Sequence, residues 1–506
     1  MNLTEKDIKT IVESVMNNVE STLIQDSSKV NNPIQLKTIT SSLASSNESS
    51  HLLSEGEYGV FADVEAAIDA AYDAQGELIK NFGIKDRERM IESIRRLIRD
   101  KKEILARLVL EETQIGKYEH KLAKLELTID KTPGTEDLQT DSFTGDDGLT
   151  FVEKSPFGLI GAVTPVTNPT ETIINNAIGM IAAGNSVVFN AHPASKQSSA
   201  LAVTFINQAI EQSGGPQNLV TMVKDPTLNT LETIAKSQKV KLLVGTGGPA
   251  MVRTLLKSGK KAIGAGAGNP PVIVDETANL KKAAKAIIEG ASFDNNLLCI
   301  AEKEVFVLDH VADDLIFELL NEGAYMLDRN KLADVMNFAL EENINNSVAG
   351  CSYKKRNYLV SKDWIGKDAS TFLNKLNIVE KDVKLLICEV DFHHPFVQLE
   401  QLMPILPIVR VNDIDEAIKK AVAAEHGNRH TAVIHSQNID TITKFARAIE
   451  TTLFISNASS LAGVGYGGEG HTTMTIAGPT GEGVTSAKTF TRQRRTAIAG
   501  GLNIIG

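Results

Sequence analysis

Three cysteines occur in 506 residues, and Cys299 stands in SFDNNLLCIAEKEVFV (292–307), between an asparagine pair and a strand-like apolar run. An isolated cysteine is most often a small buried hydrophobe. The polar DNN ahead of Cys299 argues instead for an exposed thiol, which as a thiolate attacks carbonyl carbon and carries an acyl group. In GAVTPVTNPTET, Thr167 and Asn168 lie between two prolines that stiffen the turn, and rigid side-chain donors are what a developing oxyanion needs. KLLVGTGGPAMV passes from a strand through Gly245, Thr246, Gly247 and Gly248 into a helix, which lets backbone amides approach a phosphate. It lacks a complete GxGxxG fingerprint, so taken alone it reads rather as a tight structural turn. SVVFNAHPASK presents Asn190, His192 and Ser195, suited either to ribose hydroxyls or to helix capping. Cys388 in KLLICEV reads as core, and Cys351 in NSVAGCSYKK as a loop thiol without a role.

The elements that must position these groups alternate. LIGAVTPV, SVVFNA, LVTMV, KLLVGT and KAIGAG are apolar strand candidates separated by helix-like segments, the pattern of a doubly wound parallel sheet. A second strand and helix series starts at Pro271 and carries Cys299, so two α/β units are expected, divided near residue 268. Residues 57–130 read as helical, and the turn-rich stretch 133–152 as short strands.

Composition narrows the function classes. The net charge is −11, and no basic run exceeds RQRR at 492–495, which argues against a nucleic-acid partner. Three scattered cysteines form neither a disulfide framework nor a metal box, consistent with a reducing compartment and with no metal site. No apolar run reaches membrane-spanning length, and MNLTEKDIK has neither the cationic nor the apolar region of a secretory signal, so an intracellular protein without membrane partners is expected. At the N-terminus, Ile8, Ile11, Val12, Val15, Met16, Val19 and Leu23 recur at helical spacing within residues 1–25. Residues 26–56 hold nine serines and no sustained period, the composition of a flexible linker. A tethered amphipathic helix is either a frayed arm or a docking peptide.

Taken in order, these motifs resemble the aldehyde dehydrogenase superfamily from about residue 57 to 506. TPVTNP is similar to its Pro-Trp-Asn-x-Pro motif, SVVFNAHPAS to its ribose-binding stretch, VGTGGPAMV to its pyrophosphate turn, and EQLMPILPIV to its Glu-x-Phe-Gly-Pro motif. The resemblance implies an α/β fold with a Rossmann-type cofactor domain (57–267, with oligomerisation strands 133–152 inserted) and an α/β catalytic domain (268–462). It also implies a C-terminal oligomerisation and cofactor-domain segment (463–506) and a homodimer or homotetramer. It makes Cys299 the nucleophile, with Asn168 or Thr167 at the oxyanion. NAD, with NADP not excluded, would be held by Thr164, Asn190, His192, Gly245, Thr246, Gly247, Gly248 and Glu400. His192 stands where most relatives have lysine, and Ser195 where NAD-preferring relatives often have glutamate.

One departure stands out within the resemblance. The passage GAGAGNPPVIVD places Ala265 where hydrolytic members keep a water-activating glutamate. Together with TNPTET and HGNRHTAVIHS, this is similar to the coenzyme-A-acylating branch, in which CoA takes the acyl group from cysteine. That branch suggests His430 either as a proton acceptor for CoA or, on at least equal footing, as a satisfied buried histidine, and more weakly Arg492, Arg494 and Arg495 as phosphate contacts. The N-terminal helix and linker resemble the encapsulation peptide of branch members housed in bacterial microcompartments, which oxidise propionaldehyde or acetaldehyde. The implied partners are a small aldehyde, CoA and shell proteins, and the implied location is the lumen of a microcompartment in the bacterial cytoplasm.

Overall fold

The computed structural model describes residues 57–342 and 358–503. The N-terminal helix, the linker and Cys351 lie outside the described residues. In chain order the first strands are β1 (Val60–Phe61), β2 (Asp141–Gly145), β3 (Gly148–Pro156), β4 (Leu159–Val163), β5 (Ser186–Asn190), β6 (Val220–Val223), β7 (Val240–Thr246) and β8 (Ala262–Ala265). Six of them form a parallel sheet in the order β1-β6-β5-β4-β7-β8. β4 and β5 are buried along their whole length, as expected of strands covered on both faces by helices. The helices of this part are α1 (Val64–Asn81), α2 (Ile84–Thr113), α3 (Tyr118–Lys131), α4 (Pro169–Ala182), α5 (Lys196–Gln212), α6 (Leu228–Lys236) and α7 (Pro249–Leu256), of which α2 and α3 pack on other helices. All five strands expected from the apolar runs are present. The stretch 57–130 is not wholly helical, because β1 adds to the sheet edge with Val60 beside Met222, a strand too short to show a period.

The chain runs outward from β4 through β5 and β6, then returns to β7 and β8 on the other side of β4. The strand order therefore reverses between β4 and β7, and their carboxyl ends flank the crevice where ligands of such sheets bind.

The second sheet begins with β9 (Pro271–Val274), followed by helix α8 (Leu280–Ser292) and β10 (Glu304–Leu308). Later strands are β11 (Ala324–Met326), β12 (Leu340–Glu342), β13 (Tyr358–Val360), β14 (Leu385–Glu389), β15 (Ile405–Val411), β16 (Thr431–His435) and β17 (Leu453–Ser456). Seven of these make a parallel sheet in the order β11-β14-β15-β10-β9-β16-β17. Residues alternate along β9 and β10. Val272, Val274, Val305 and Val307 face a core built with α8, while Ile273, Phe306 and Leu308 face the helix that carries Ala417 and Ala421. Cys388 is fully buried on β14, as its apolar setting implied.

β18 (Ile476–Ala477) and β19 (Gly483–Val484) form a short ladder, and β20 (Thr491–Ala499) pairs antiparallel with β3, which also pairs with β2. The three-stranded sheet β2-β3-β20 thus joins residues 141–156 to 491–499, its second strand running four residues past the expected limit of 152. RQRR lies on the exposed β20. Among the described residues no helix is long and apolar enough to cross a membrane, and no cluster of residues could hold a metal ion.

The core tolerates no side chain at Gly290 near the end of α8. A Cβ there would lie 2.0 Å from Oε2 of Glu302, whose buried carboxylate is pinned by the Ser460 N–H and hydroxyl, both at 2.8 Å. Gly290→Ala is therefore expected to lower stability by about 2–3 kcal/mol, read as a lower urea midpoint at unchanged slope; an unchanged midpoint would show that Glu302 moves freely.

Candidate active site

Cys299 follows a turn that few sequences could adopt. Asp294, Asn295 and Asn296 all have left-handed backbones, with φ of 47°, 57° and 67°. Asp and Asn tolerate this region better than other side chains that carry a Cβ, which is one reason for the DNN spelling. Each is also tied down. Asp294 accepts from the Lys117 N–H at 2.8 Å and from Lys124 Nζ at 2.7 Å; Asn295 Nδ2 donates to the Gly366 carbonyl at 2.8 Å. Asn296 Nδ2 donates to the carbonyls of Ala291 and Glu302, at 2.8 and 3.0 Å. Lys303 then closes the turn from behind, donating to Asn296 O at 2.8 Å, Asn296 Oδ1 at 2.5 Å and Leu298 O at 3.3 Å.

The turn delivers Cys299, partly exposed, to a cavity with about 470 Å³ of open space including its mouth. Its wall is mainly apolar: Leu127, Phe293, Leu298, Leu461, Val464 and Ile476 among others. Phe293 is stacked on His120 with centroids 4.4 Å apart and meets the Tyr466 ring at 5.6 Å. Asn168 brings an amide and Lys124 a cation to this wall, and among the described residues no carboxylate or histidine lines it. Thr167 is not part of the lining. Its hydroxyl accepts from Asn168 Nδ2 at 3.3 Å, and its carbonyl from Lys124 Nζ at 3.3 Å.

A second group gathers around Gly268. A Cβ on this residue would lie 2.5 Å from the Cys299 carbonyl and 3.0 Å from Cγ of His430, so only glycine fits between nucleophile and imidazole. The Gly268 N–H donates to Glu400 Oε1 at 3.3 Å. Burial raises the Glu400 carboxyl, with the Lys303 charge opposing. Burial pushes the Cys299 thiol up to about 12; the Glu400 charge adds to this, and Lys303 works against it. Lys303 is itself brought down to about 8 by burial. His430 falls to about 4 through burial and the Lys303 charge, which leaves a neutral imidazole at pH 7. Its Nδ1 meets the Thr431 hydroxyl at 2.8 Å, and its buried Nε2 has no hydrogen-bond partner among the described residues.

The crevice at the strand reversal holds the remaining residues. Val163 pairs with Gly245, so Thr164 leaves β4 beside Thr246 at the end of β7. Gly247 donates to the Ala265 carbonyl at 3.0 Å, Gly248 is the N-cap of α7, and Pro249 opens that helix. Thr164 Oγ1 is buried without a partner among the described residues, an orphaned hydroxyl at a glycine-lined helix entrance, which fits a dinucleotide phosphate. Ala265 ends β8 beside this turn and offers no base. At the exit of β5, Asn190 is engaged by Thr230 Oγ1 at 2.7 Å and by the Thr227 carbonyl at 3.3 Å, while His192 Nδ1 accepts from the Ala194 N–H at 3.2 Å as a cap. Ser195 is fully buried, and its hydroxyl donates to the His192 carbonyl at 3.2 Å.

A sequence model of the aldehyde dehydrogenase family matches residues 46–336 and 383–492. The chain belongs to that family. It is similar to an acetylating acetaldehyde dehydrogenase of Salmonella typhimurium, 44% identical over 451 residues that cover 89% of this chain and 94% of the relative. A propionaldehyde dehydrogenase from the Clostridium phytofermentans fucose utilisation bacterial microcompartment superposes with a TM-score of 0.84 at 46% identity, covering 88% of this chain and 99% of that one. The Rhodopseudomonas palustris propionaldehyde dehydrogenase, solved with bound CoA and an acylated cysteine, does so with a TM-score of 0.84 at 48% identity, covering 88% and 100%.

Against this aldehyde dehydrogenase frame, sequence reasoning missed Lys121, Lys124, Glu302 and Lys303. One signal existed. In α3 the buried positions are Lys121, Lys124, Leu125, Thr128 and Ile129, so two lysines occupy the apolar stripe of an amphipathic helix. A lysine there must have a buried partner.

With its thiol near 12, cofactor-free protein is expected to react with iodoacetamide at Cys299 slowly at pH 7 and about tenfold faster per pH unit up to pH 10. Peptide mass spectrometry with Cys299→Ala as blank measures this; a plateau near pH 8 would contradict it.

Proposed function

We propose that this protein oxidises a short-chain aldehyde to its acyl-CoA through a thioester on Cys299. The carrying observation is the cavity wall itself: a cysteine and an amide in apolar surroundings with no carboxylate to activate water, and alanine at position 265. Thr164, Asn190, His192 and the Gly245–Gly248 turn would hold a nicotinamide dinucleotide, with Glu400 holding its nicotinamide ribose, and when bound that group would supply the hydride acceptor. NAD is the preferred form. Cys299 attacks the carbonyl, and Asn168 with the Cys299 backbone amide stabilises the oxyanion. The acyl group then waits on sulfur, because no carboxylate among the described residues lines the cavity to activate water. CoA enters as the second substrate, and neutral His430, across Gly268 from Cys299, accepts its thiol proton. The acetylating and CoA-bound relatives support this reading. An aliphatic wall suits propanal over acetaldehyde as main substrate. The amphipathic residues 1–25 serve as the docking peptide for shell proteins of a microcompartment, a reading supported by the fucose-compartment relative. The three-stranded sheet β2-β3-β20 serves homo-oligomerisation.

With propanal and NAD, omission of CoA should leave about one NADH per site followed by turnover slower by about 10²-fold or more. Rapid release of free acid without CoA would refute the acylating reading and favour a hydrolytic one. Cys299→Ala should abolish NADH formation, and deletion of residues 1–25 should spare activity while abolishing encapsulation. Initial rates across acetaldehyde, propanal and butanal decide the preferred chain length. His430→Gln should keep the first NADH and slow CoA-dependent release by about 10²-fold; an unchanged steady state would exclude His430 as the acceptor.

A further inference from the structure

Lys124 reaches the site from α3, and all four of its partners bear on the chemistry. Its Nζ lies 2.7 Å from Asn168 Oδ1, 2.7 Å from Asp294 Oδ2, 3.3 Å from the Thr167 carbonyl and 3.3 Å from Glu171 Oε1. Lys124, Asn168, Glu171 and Asp294 are all buried, and Lys121 Nζ adds a weaker contact to Asp294 at 3.5 Å. Two lysines thus face two carboxylates, and the cluster is neutral overall.

An ammonium can only donate, so the carboxamide of Asn168 must turn its oxygen to Lys124 and its NH₂ away. One N–H of that NH₂ reaches the Thr167 hydroxyl at 3.3 Å, which leaves the other for the cavity that Asn168 shares with Cys299. The same ammonium grips Asp294, the first residue of the left-handed turn that ends at the nucleophile. We propose that Lys124 is a positioning residue that aims the Asn168 amide at the oxyanion and ties that amide to the Cys299 turn. Donor and nucleophile belong to segments 131 positions apart in sequence, 168 and 299, and this one cation bonds to the side chain of the first and to the turn of the second. This inference rests on Asn168 being the oxyanion donor.

Removing Lys124 alone would strand two buried carboxylates, so the test uses a charge-balanced background. Lys124→Met/Glu171→Gln removes the donor to Asn168, and Lys124→Gln/Glu171→Gln restores one. Asn168→Ala is measured beside them. Pre-steady-state NADH formation from propanal and NAD is expected to slow on the order of a hundredfold in the Met variant and in Asn168→Ala, and by less than about tenfold in the Gln variant. Adding Asn168→Ala to the Met variant should cost less than about threefold more, since the amide is already misaimed. Iodoacetamide alkylation of Cys299, which forms no oxyanion, should stay within about twofold of the parent if the turn is intact. Parent-like kinetics in the Met variant, equal loss in the Met and Gln variants, or full multiplication with Asn168→Ala would each overturn the proposal. Parent-like kinetics in Asn168→Ala would instead overturn the oxyanion assignment. If the Met variant melts below assay temperature, Asn168→Asp decides with the cluster's lysines in place. Lys124 then holds a carboxylate with no N–H to give, so NADH formation should fall as far as in Asn168→Ala; retention of parent rate refutes the aiming role.

Discussion

Asp294 keeps its charge with none of its side chain open to solvent, and the geometry of the site follows from how that charge is compensated. Burial alone would raise its carboxyl, but Lys124 and Lys121 together with the Lys117 amide hold it below its ordinary value. For Lys124 the balance is the mirror image, since burial lowers it and the charges of Asp294 and Glu171 more than restore it. Such a cluster is not an efficient way to stabilise a fold, because well-packed apolar residues of the same volume often do as well. It offers a fixed geometry with no slack. Three successive left-handed residues cost about 1–2 kcal/mol each for an ordinary side chain, somewhat less for Asp and Asn, and such strain persists only where the surroundings over-determine it. Here Asp294, Asn295 and Asn296 are each held by a separate set of partners, so the turn cannot relax at one residue without breaking bonds at the next.

The parts of this site that were legible in the sequence are those whose chemistry is local. Cys299 was marked by its polar approach, the Gly245–Gly248 turn by its place between strand and helix, and Asn168 by two flanking prolines. Thr167 and Asn168 could not be separated from sequence because they are neighbours of similar hydrogen-bonding ability. The structure separates them by exposure to the cavity, which Asn168 lines and Thr167 does not. Lys124, Glu302 and Lys303 were hard to read for the opposite reason, Lys124 showing only as a lysine in the apolar stripe of α3. Their meaning lies in partners far along the chain, Asp294 for Lys124 and Ser460 for Glu302, or in a backbone turn that no periodicity reports, as with Lys303. The fold was legible where alternation is long and regular, in the five central strands of the first sheet, and illegible at β1, whose two residues pair only because β6 offers an edge.

Two adjacent residues show how the second sheet is harnessed to the site. Glu302 and Lys303 follow the nucleophile by three and four positions and point to different tasks. Glu302 accepts from Ser460 and so fixes the segment that carries Leu461 and Val464, part of the cavity wall. Lys303 binds the turn on the near side of Cys299. Both are buried just before β10, a strand paired on both sides within the sheet, so the cavity wall and Cys299 share one rigid base. The resulting precision is of the kind that near-attack geometry requires, where an ångström of slack is costly.

That same burial raises the resting Cys299 thiol, and the charges around it add to or oppose the effect. Glu400 raises the thiol and Lys303 lowers it, while the cavity wall contributes no anion. A positively charged nicotinamide ring brought near Cys299 would act in the same direction as Lys303 and against Glu400, so thiolate formation and cofactor occupancy are linked by electrostatics alone. It is the thiolate that Glu400 opposes; an acyl group on that sulfur would leave it uncharged and remove the opposition. In the proposed reaction a thioester would thus be the electrostatically quiet form of Cys299, in a mainly apolar cavity that no carboxylate among the described residues lines.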